Sequence, residues 1–227
     1  MTPIAPRYAA RVQGFRPVIG ICGGIGSGKS AVAAAFRALG CEVCVSDDVA
    51  RAVLETPEVR AAVIARVGRD IARPDGSIDR AALGRAIFGD AALRADIERI
   101  MHPRIEAARR AQFAKAPVST RAFIIDAPLL LEVGLDRECD AVVFVDALHE
   151  VRVKRVAATR GWDAAELDRR ERAQLPLAEK RARSTDTIVN DCAVAELSHR
   201  AEQVLGAIIA RGSRAGRDDA GSPSCAT

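Results

Sequence analysis

The chain has 227 residues, 49% of them hydrophobic, which is enough for one domain with a substantial core. Its 34 lysine and arginine residues are nearly balanced by 30 acidic residues, and only 4% of the chain is aromatic. This composition excludes a general electrostatic surface for nucleic acid. No apolar run approaches the roughly 18 to 20 residues that a membrane helix needs.

The six cysteines predict reduced thiols, because the chain shows no secretory signal and is longer than small disulfide-stapled folds. We therefore expect a cytoplasmic protein with no nucleic-acid or membrane partner. Cys41 and Cys44 form a C-x-x-C pair, but no second pair completes a zinc site, so we expect no redox or metal function there. Residues 1–16 predict an extension ahead of the fold. The alternative is a targeting peptide, which would need a long amphipathic pattern that is missing here.

The first element with a clear chemical meaning is a phosphate loop. Residues 23–30 read Gly-Gly-Ile-Gly-Ser-Gly-Lys-Ser and satisfy G-x-x-x-x-G-K-[ST], with an apolar strand pattern before them and a helical pattern after them. Glycines let such a loop bend around a phosphate chain with its N–H groups pointing inward, and the helix directs its positive end at the same anion. We predict that Lys29 reaches the β and γ phosphates and that Ser30 holds Mg²⁺. The other predicted ATP-binding residues of the loop are Gly23, Gly24, Ile25, Gly26, Ser27 and Gly28.

Two aspartates follow the second predicted strand. The helix after the phosphate loop is predicted to end at Gly40, and a short strand over residues 42–46 leads into Asp47 and Asp48. Ligands collect at the carboxyl ends of strands in open parallel sheets, so we expect a carboxylate here to serve a ligand. The alternative is that an aspartate caps the helix that begins at this point.

Residues 56 to about 117 have a helical pattern with no convincing strand, which predicts a helical insertion between the second and third strands. Pro57 starts one helix, and Asp79 and Asp90 cap two others. His102 precedes Pro103 within the insertion. It either contacts a ligand or bonds locally at a kink, and the sequence leaves both open.

The third predicted strand, residues 123–125, ends in Asp126. In a phosphate-loop protein this carboxylate is expected to position Mg²⁺-bound water or a substrate hydroxyl. The alternative is that it caps the turn that Pro128 enforces. A fourth strand is predicted over residues 141–145.

The segment from about residue 152 to 184 is dense in basic side chains, among them Arg152 and Arg155, with acidic residues such as Glu171 between them. This pattern is typical of an exposed helical pair, and the functional alternative is a basic lid over bound phosphates. A last strand is predicted over residues 186–190, a final amphipathic helix over 194–209, and a disordered tail over 211–227. Strands separated by helices predict an α/β fold with a parallel sheet flanked by helices.

The phosphate loop alone admits motors, switches, transport ATPases and kinases. The chain has no Asn-Lys-x-Asp guanine motif, and the loop does not contain G-x-G-x-x-G, which disfavours a GTPase and a dinucleotide-binding dehydrogenase. A carboxylate after the second strand, an insertion able to hold an acceptor and a basic lid together favour a small-molecule kinase. The alternatives are a nucleoside or nucleotide kinase and a nucleotide-dependent switch that has no acceptor.

Taken together, the motifs resemble the dephospho-CoA kinase family over residues 18–209. The resemblance is carried, in chain order, by residues 23–30, Asp47 with Ala50-Arg51, residues 75–80, Ile87-Phe88, His102-Pro103, residues 126–132, Arg155, Gln174, Lys180 and residues 186–190. The His-Pro and Asp-x-Pro-Leu-Leu segments are its most specific parts. It implies transfer of the γ-phosphoryl group of ATP to the ribose 3′-hydroxyl of dephospho-CoA, giving CoA and ADP in the last step of CoA synthesis.

The resemblance also implies an organisation: a phosphate-loop kinase domain over residues 17–210, with a CoA-binding insertion at about 56–117 and a lid at about 152–184. ATP and dephospho-CoA are the implied partners of a monomer or small homo-oligomer. The implied roles are an acceptor base at Asp47, charge stabilisation by Lys29 and Arg155, Mg²⁺ binding by Ser30, a position near adenine for Asn190, and acceptor binding by His102, Asp126 and Leu129. The family often has Asp-x-Asp where this chain has Val45-Ser46-Asp47, so the choice between Asp47 and Asp48 stays open.

Overall fold

The computed structural model describes residues 15–191 and 193–218. A five-stranded sheet in the order β2-β3-β1-β4-β5 lies within this part of the chain. Its strands are β1 (Val18–Gly23), β2 (Glu42–Val45), β3 (Phe123–Asp126), β4 (Ala141–Asp146) and β5 (Asp186–Val189). β1 pairs in parallel with β3 and β4, and β4 pairs in parallel with β5. The predicted α/β class with a parallel sheet is therefore confirmed.

One or more α-helices follow each strand except β3. They are α1 (Lys29–Ala38), α2 (Ser46–Leu54), α3 (Pro57–Val67), α4 (Arg80–Ile87), α5 (Ala91–Ala114), α6 (His149–Arg160), α7 (Ala164–Glu171), α8 (Leu177–Ala182) and α9 (Val194–Asp218). Within the described residues, no helix combines the length and the apolar character needed to cross a membrane.

The chain divides into two compact units, residues 45–115 and the described residues on either side of them. In the flanking unit, all six residues of β1 are buried, as expected for a strand covered on both faces of a parallel sheet. Helix α9 packs against α1 and β5. Its buried residues recur every three or four positions, which is the apolar stripe of an amphipathic helix: Leu197, Ala201, Leu205 and Ile208.

Helix α9 is longer than the sequence predicts. It continues past the expected end at residue 209 to Asp218, so residues 211–218 of the predicted tail are helical. The glycine-rich composition of this stretch disfavours a helix, but tertiary contacts stabilise it. Arg211 donates from Nη1 to Asp186 at 3.1 Å, and Phe15 lies so close to Gly212 that a Cβ there would be 1.8 Å from the ring. Residues 1–14 of the predicted extension and 219–227 of the tail lie outside the described residues.

The unit formed by residues 45–115 is helical, and it contains an isolated antiparallel bridge between Ala72 and Ile78. The predicted helix starts are confirmed: Pro57 lies in the first turn of α3, Asp79 accepts from the N–H groups of Ala81 and Ala82, and Asp90 accepts from that of Leu93. Helix α5 runs through Pro103 without ending. A buried cluster joins the helices of this unit: Val53, Leu54, Val59, Val63, Ile71, Ile78, Leu83 and Ile97.

Candidate nucleotide-binding site

The phosphate loop lies between β1 and α1 and takes a conformation that requires glycine. Gly23, Gly26 and Gly28 have φ angles of 145°, 75° and 87°. A Cβ on Gly23 would lie 2.5 Å from the carbonyl oxygen of Val145, and one on Gly28 would lie 2.1 Å from Nδ2 of Asn190. The glycines of the motif thus serve both the backbone turn and the close approach of β4 and Asn190.

Lys29 is the first residue of α1, and its side chain folds back over the start of the loop. Its Nζ donates to the carbonyl oxygens of Gly23 at 3.1 Å and Gly24 at 2.9 Å. Burial lowers the pKa of Lys29 to about 8, the positive charge of Lys180 acts in the same direction, and the charge of Asp126 opposes both. Asp126, the last residue of β3, is buried and lies close enough to influence this cation.

Ser30 lies in the first turn of α1 and is exposed. In phosphate loops this hydroxyl holds Mg²⁺ together with phosphate oxygens and water, so no carboxylate cluster is needed. No group of three or more His, Cys, Asp or Glu side chains converges within the described residues. The exposed hydroxyl next to Lys29 fits the predicted Mg²⁺ site.

Arg155 and Asn190 both contact the second half of the loop. Asn190 follows β5, is 3% exposed, and donates from Nδ2 to the carbonyl oxygen of Ser27 at 2.8 Å. Arg155, on α6, donates from Nη1 to the same oxygen at 3.1 Å and from Nη2 to the carbonyl oxygen of Asn190 at 2.9 Å. Two residues selected from the sequence are thus brought to the phosphate loop, where they bind its backbone.

Arg152 and Glu171 contact the first half of the loop, and neither is among the predicted site residues. Glu171 accepts from the N–H group of Ile25 at 3.0 Å, and Arg152 donates from Nη1 to the carbonyl oxygen of Ile25 at 3.3 Å and to Glu171. The three-residue spacing of Arg152 and Arg155 puts both on one face of α6, and this was the available signal for Arg152. Glu171 lies on α7, and no sequence spacing connects it with Ile25.

The segment after β3 is connected to α8 through a buried ion pair. Lys180 is 1% exposed, and its Nζ donates to Glu132 at 2.8 Å and to Gln174 at 2.9 Å. Burial by itself raises the pKa of Glu132, but hydrogen bonds from Lys180 and from the backbone outweigh it and hold that pKa below its ordinary value. Leu129, three residues before Glu132, is 42% exposed.

Asp47, Asp48 and His102 belong to the helical unit. Both aspartates are exposed in the first turn of α2, and no side chain in the described part of the chain caps that helix, so the capping alternative is not observed. Asp48 pairs with Arg51 at 3.5 Å, whereas the side chain of Asp47 makes no hydrogen bond or ion pair within the described residues. His102 is exposed on α5, which packs against α2.

The family model of dephospho-CoA kinase matches residues 17–196 of the chain. This chain belongs to the dephospho-CoA kinase family. Family membership confirms the function predicted from the sequence and its class, an ATP-dependent kinase that acts on an alcohol group.

Individual relatives agree with the family model. The dephospho-CoA kinase of Syntrophotalea carbinolica is 41% identical over 196 residues, covering 86% of this chain and 91% of the relative. That of Anaeromyxobacter dehalogenans is 41% identical over 190 residues, covering 83% and 90%.

Solved structures show the same fold. The crystal structure of a Thermus thermophilus protein superposes with a TM-score of 0.74 at 33% identity, covering 85% of this chain and 97% of the other. A dephospho-CoA kinase from Campylobacter jejuni gives a TM-score of 0.56 at 20% identity, with the same coverage, and supports the fold.

Proposed function

We propose that this member of the dephospho-CoA kinase family binds ATP at residues 23–30 and uses Lys29, Arg155 and Asp47 to transfer the γ-phosphoryl group to the ribose 3′-hydroxyl of dephospho-CoA. The observation that carries the proposal is the position of Lys29. Its ammonium group is held over the loop by two backbone carbonyl oxygens, in a loop whose glycine conformations suit close contact with phosphate.

The donor half of the reaction uses the loop backbone, Lys29 and Ser30. Loop N–H groups and the N-terminus of α1 bind the phosphate chain, and Lys29 binds the transferring group. Ser30 would hold Mg²⁺, which when bound neutralises charge on the phosphate oxygens. The lowered pKa of Lys29 supports this role, because a cation that is partly withdrawn from water gains from an anionic ligand.

Arg155 stabilises the charge that develops during transfer. Its guanidinium has five N–H groups, and the observed contacts with Ser27 and Asn190 use two of them. These contacts fix the side chain at the loop before any substrate contact forms. Because phosphoryl transfer depends on positioning and electrostatic stabilisation, a fixed guanidinium can act on the transition state with little reorganisation. Asn190 holds the same carbonyl oxygen, and we propose that it also lies near the adenine.

Asp47 acts on the acceptor hydroxyl, as its orienting group or general base. The exposed carboxylate of Asp47 has no partner within the described residues, whereas Asp48 is paired with Arg51. An unpaired carboxylate keeps its lone pairs for a hydroxyl proton, and this favours Asp47. We further propose that His102, Asp126 and Leu129 contact dephospho-CoA, that residues 56–117 bind its CoA portion, and that residues 152–184 form the lid.

The same proposal places the enzyme in the cytoplasm as a monomer or small homo-oligomer that acts on ATP and dephospho-CoA without a nucleic-acid or membrane partner. The near-neutral charge balance supports this. Light scattering on the purified protein measures its oligomeric state.

The decisive experiment compares Asp47→Asn with Asp48→Asn. Purified protein, ATP and Mg²⁺ are mixed with dephospho-CoA, and CoA and ADP are measured by chromatography. Asp47→Asn should lower turnover by about 10² to 10⁴-fold, as expected for loss of a general base, with an unchanged dissociation constant for ATP. Asp48→Asn, the matched control, should stay near the wild-type rate.

Two results would count against the proposal. If Asp47→Asn is active and Asp48→Asn is inactive, Asp48 and not Asp47 acts on the acceptor hydroxyl. A wild-type enzyme that phosphorylates nucleosides but not dephospho-CoA would overturn the acceptor.

A further inference from the structure

Ile25 has both of its backbone polar groups bound by an ion pair from the lid. Its N–H group donates to Oε1 of Glu171 at 3.0 Å, and its carbonyl oxygen accepts from Nη1 of Arg152 at 3.3 Å. Arg152 also donates to Oε1 of Glu171. A carboxylate thus occupies a donor of the loop that binds phosphate.

The pair lies directly against the loop and is largely withdrawn from water. The side chains of Arg152 and Glu171 are 5% and 18% exposed, and a Cβ on Gly24 would lie 2.9 Å from both Nη1 of Arg152 and Oε1 of Glu171. Nε of Arg152 is buried and has no hydrogen-bond partner among the described residues. A buried ion pair of this kind adds little net stability, because desolvation offsets the Coulomb attraction. Stability therefore gives no sufficient reason for placing two opposite charges at this position.

A carboxylate and a phosphate compete for the same donor. A phosphate oxygen that accepts from Ile25 N–H must replace Oε1 of Glu171, since both need the same direction of approach, and the two anions repel each other. Once Glu171 leaves, Arg152 loses its anionic partner while its guanidinium remains beside the loop. A phosphate is the anion that would take over both contacts.

We propose that Glu171 is an internal competitor of the ATP phosphates at Ile25, and that Arg152 is a positioning residue that exchanges Glu171 for phosphate. Glu171 has space to move, because it also lines a pocket of about 460 Å³ with neighbours that include Gln174 and Leu177. The exchange links phosphate binding to the lid, since Glu171 is the last residue of α7 and Arg152 lies on α6. This inference rests on the proposed ATP site at residues 23–30.

The test is Glu171→Gln in the full-length protein, with ATP affinity measured by titration calorimetry. Glutamine keeps the shape and a hydrogen-bond acceptor but removes the charge, so its contacts are about half as strong and no longer repel phosphate. We expect ATP to bind about tenfold more tightly, with KM for ATP lowered and kcat not raised. Adenosine, which has no phosphate, should bind equally to both proteins. Glu166→Gln is the matched control on α7, where Glu166 pairs with Arg169 and Arg170, and it should leave ATP affinity unchanged.

Two further measurements keep the test decisive. Glu171→Asp retains the charge on a shorter side chain that draws back from Ile25, and it should also tighten ATP binding. Trp162 is the single tryptophan of the chain. The guanidinium carbons of Arg160 and Arg170 lie 4.8 and 4.0 Å from its ring centroid, so its fluorescence reports on the lid during the titration.

The outcomes separate this inference from the proposed function. If wild type binds ATP and Glu171→Gln binds it equally or more weakly, Glu171 is a structural clamp and the inference is overturned. If neither protein binds ATP, the proposed site itself fails. Tighter binding of adenosine as well as ATP would also contradict competition with phosphate.

Discussion

Gly28→Ala tests whether the packing of Asn190 against the loop determines the choice of glycine there. Gly28 has φ 87° and ψ 33°, a left-handed conformation. The added methyl group would lie 2.1 Å from Nδ2 of Asn190 and 3.3 Å from Nη1 of Arg155. Asn190 must therefore move, and its 2.8 Å hydrogen bond to Ser27 is lost in the interior.

The expected loss of stability has two parts. A left-handed non-glycine residue costs about 1–2 kcal/mol. Breaking a buried hydrogen bond without replacing the partner costs about 1–3 kcal/mol more. Gly161 is the matched control, because it has φ 67° at the end of α6 and its added Cβ would have no neighbour within 4 Å among the described residues. Gly161→Ala should therefore show the conformational cost alone, and the difference between the two variants should be about 1–3 kcal/mol.

Urea denaturation of both variants measures this difference, and ATP titration shows whether Gly28→Ala also weakens nucleotide binding, as we expect. The double variant Gly28→Ala/Asn190→Ala lacks the obstructing amide. Its loss of unfolding free energy should therefore be smaller than the sum of the losses in the two single variants by about 1–3 kcal/mol. Equal destabilisation by Gly28→Ala and Gly161→Ala, or strict additivity in the double variant, would refute the steric explanation.

Two further predictions concern buried charges. Burial lowers the pKa of Lys29 from 10.5 to about 8, the charge of Lys180 adds to the effect, and the charge of Asp126 opposes it. The enzyme without nucleotide therefore loses this cation above about pH 8. Above that pH the dissociation constant for ATP should rise by up to about tenfold per pH unit, while the dissociation constant for adenosine should not change. The contribution of Lys29 to the unfolding free energy should increase between pH 8 and 10.5, because only the unfolded chain keeps this side chain protonated there. A dissociation constant for ATP that does not change with pH would contradict this prediction. Glu132→Gln leaves the buried Lys180 without its counter-charge and should lower the unfolding free energy by about 3–5 kcal/mol. Adding Lys180→Met to this variant should restore most of the loss, because the unpaired charge is then removed. Urea denaturation measures both variants, and a loss below about 1 kcal/mol in Glu132→Gln would mean that stability does not depend on the ion pair.

The phosphate loop and several helix starts could be predicted from the sequence, because the patterns that indicate them are local. The order of strand, glycine loop and helix around Lys29 depends on residues that are close in sequence, and so do the helix starts at Pro57, Asp79 and Asp90. The end of α9 was predicted too early, since its last turns depend on Phe15 and Asp186, which lie far away in sequence.

The sequence by itself determined the parallel α/β class, the family, the kinase activity and the residues of the phosphate loop. Only the tertiary structure decided what surrounds that loop. Asn190 bonds Ser27 across 163 positions, and Glu171 bonds Ile25 across 146. Such contacts depend on how helices and strands pack against one another. The spacing of residues predicts contacts within one helix or strand, but not contacts between distant ones. The predicted phosphate loop is therefore also a loop whose amide at Ile25 is held by the carboxylate of Glu171 on α7.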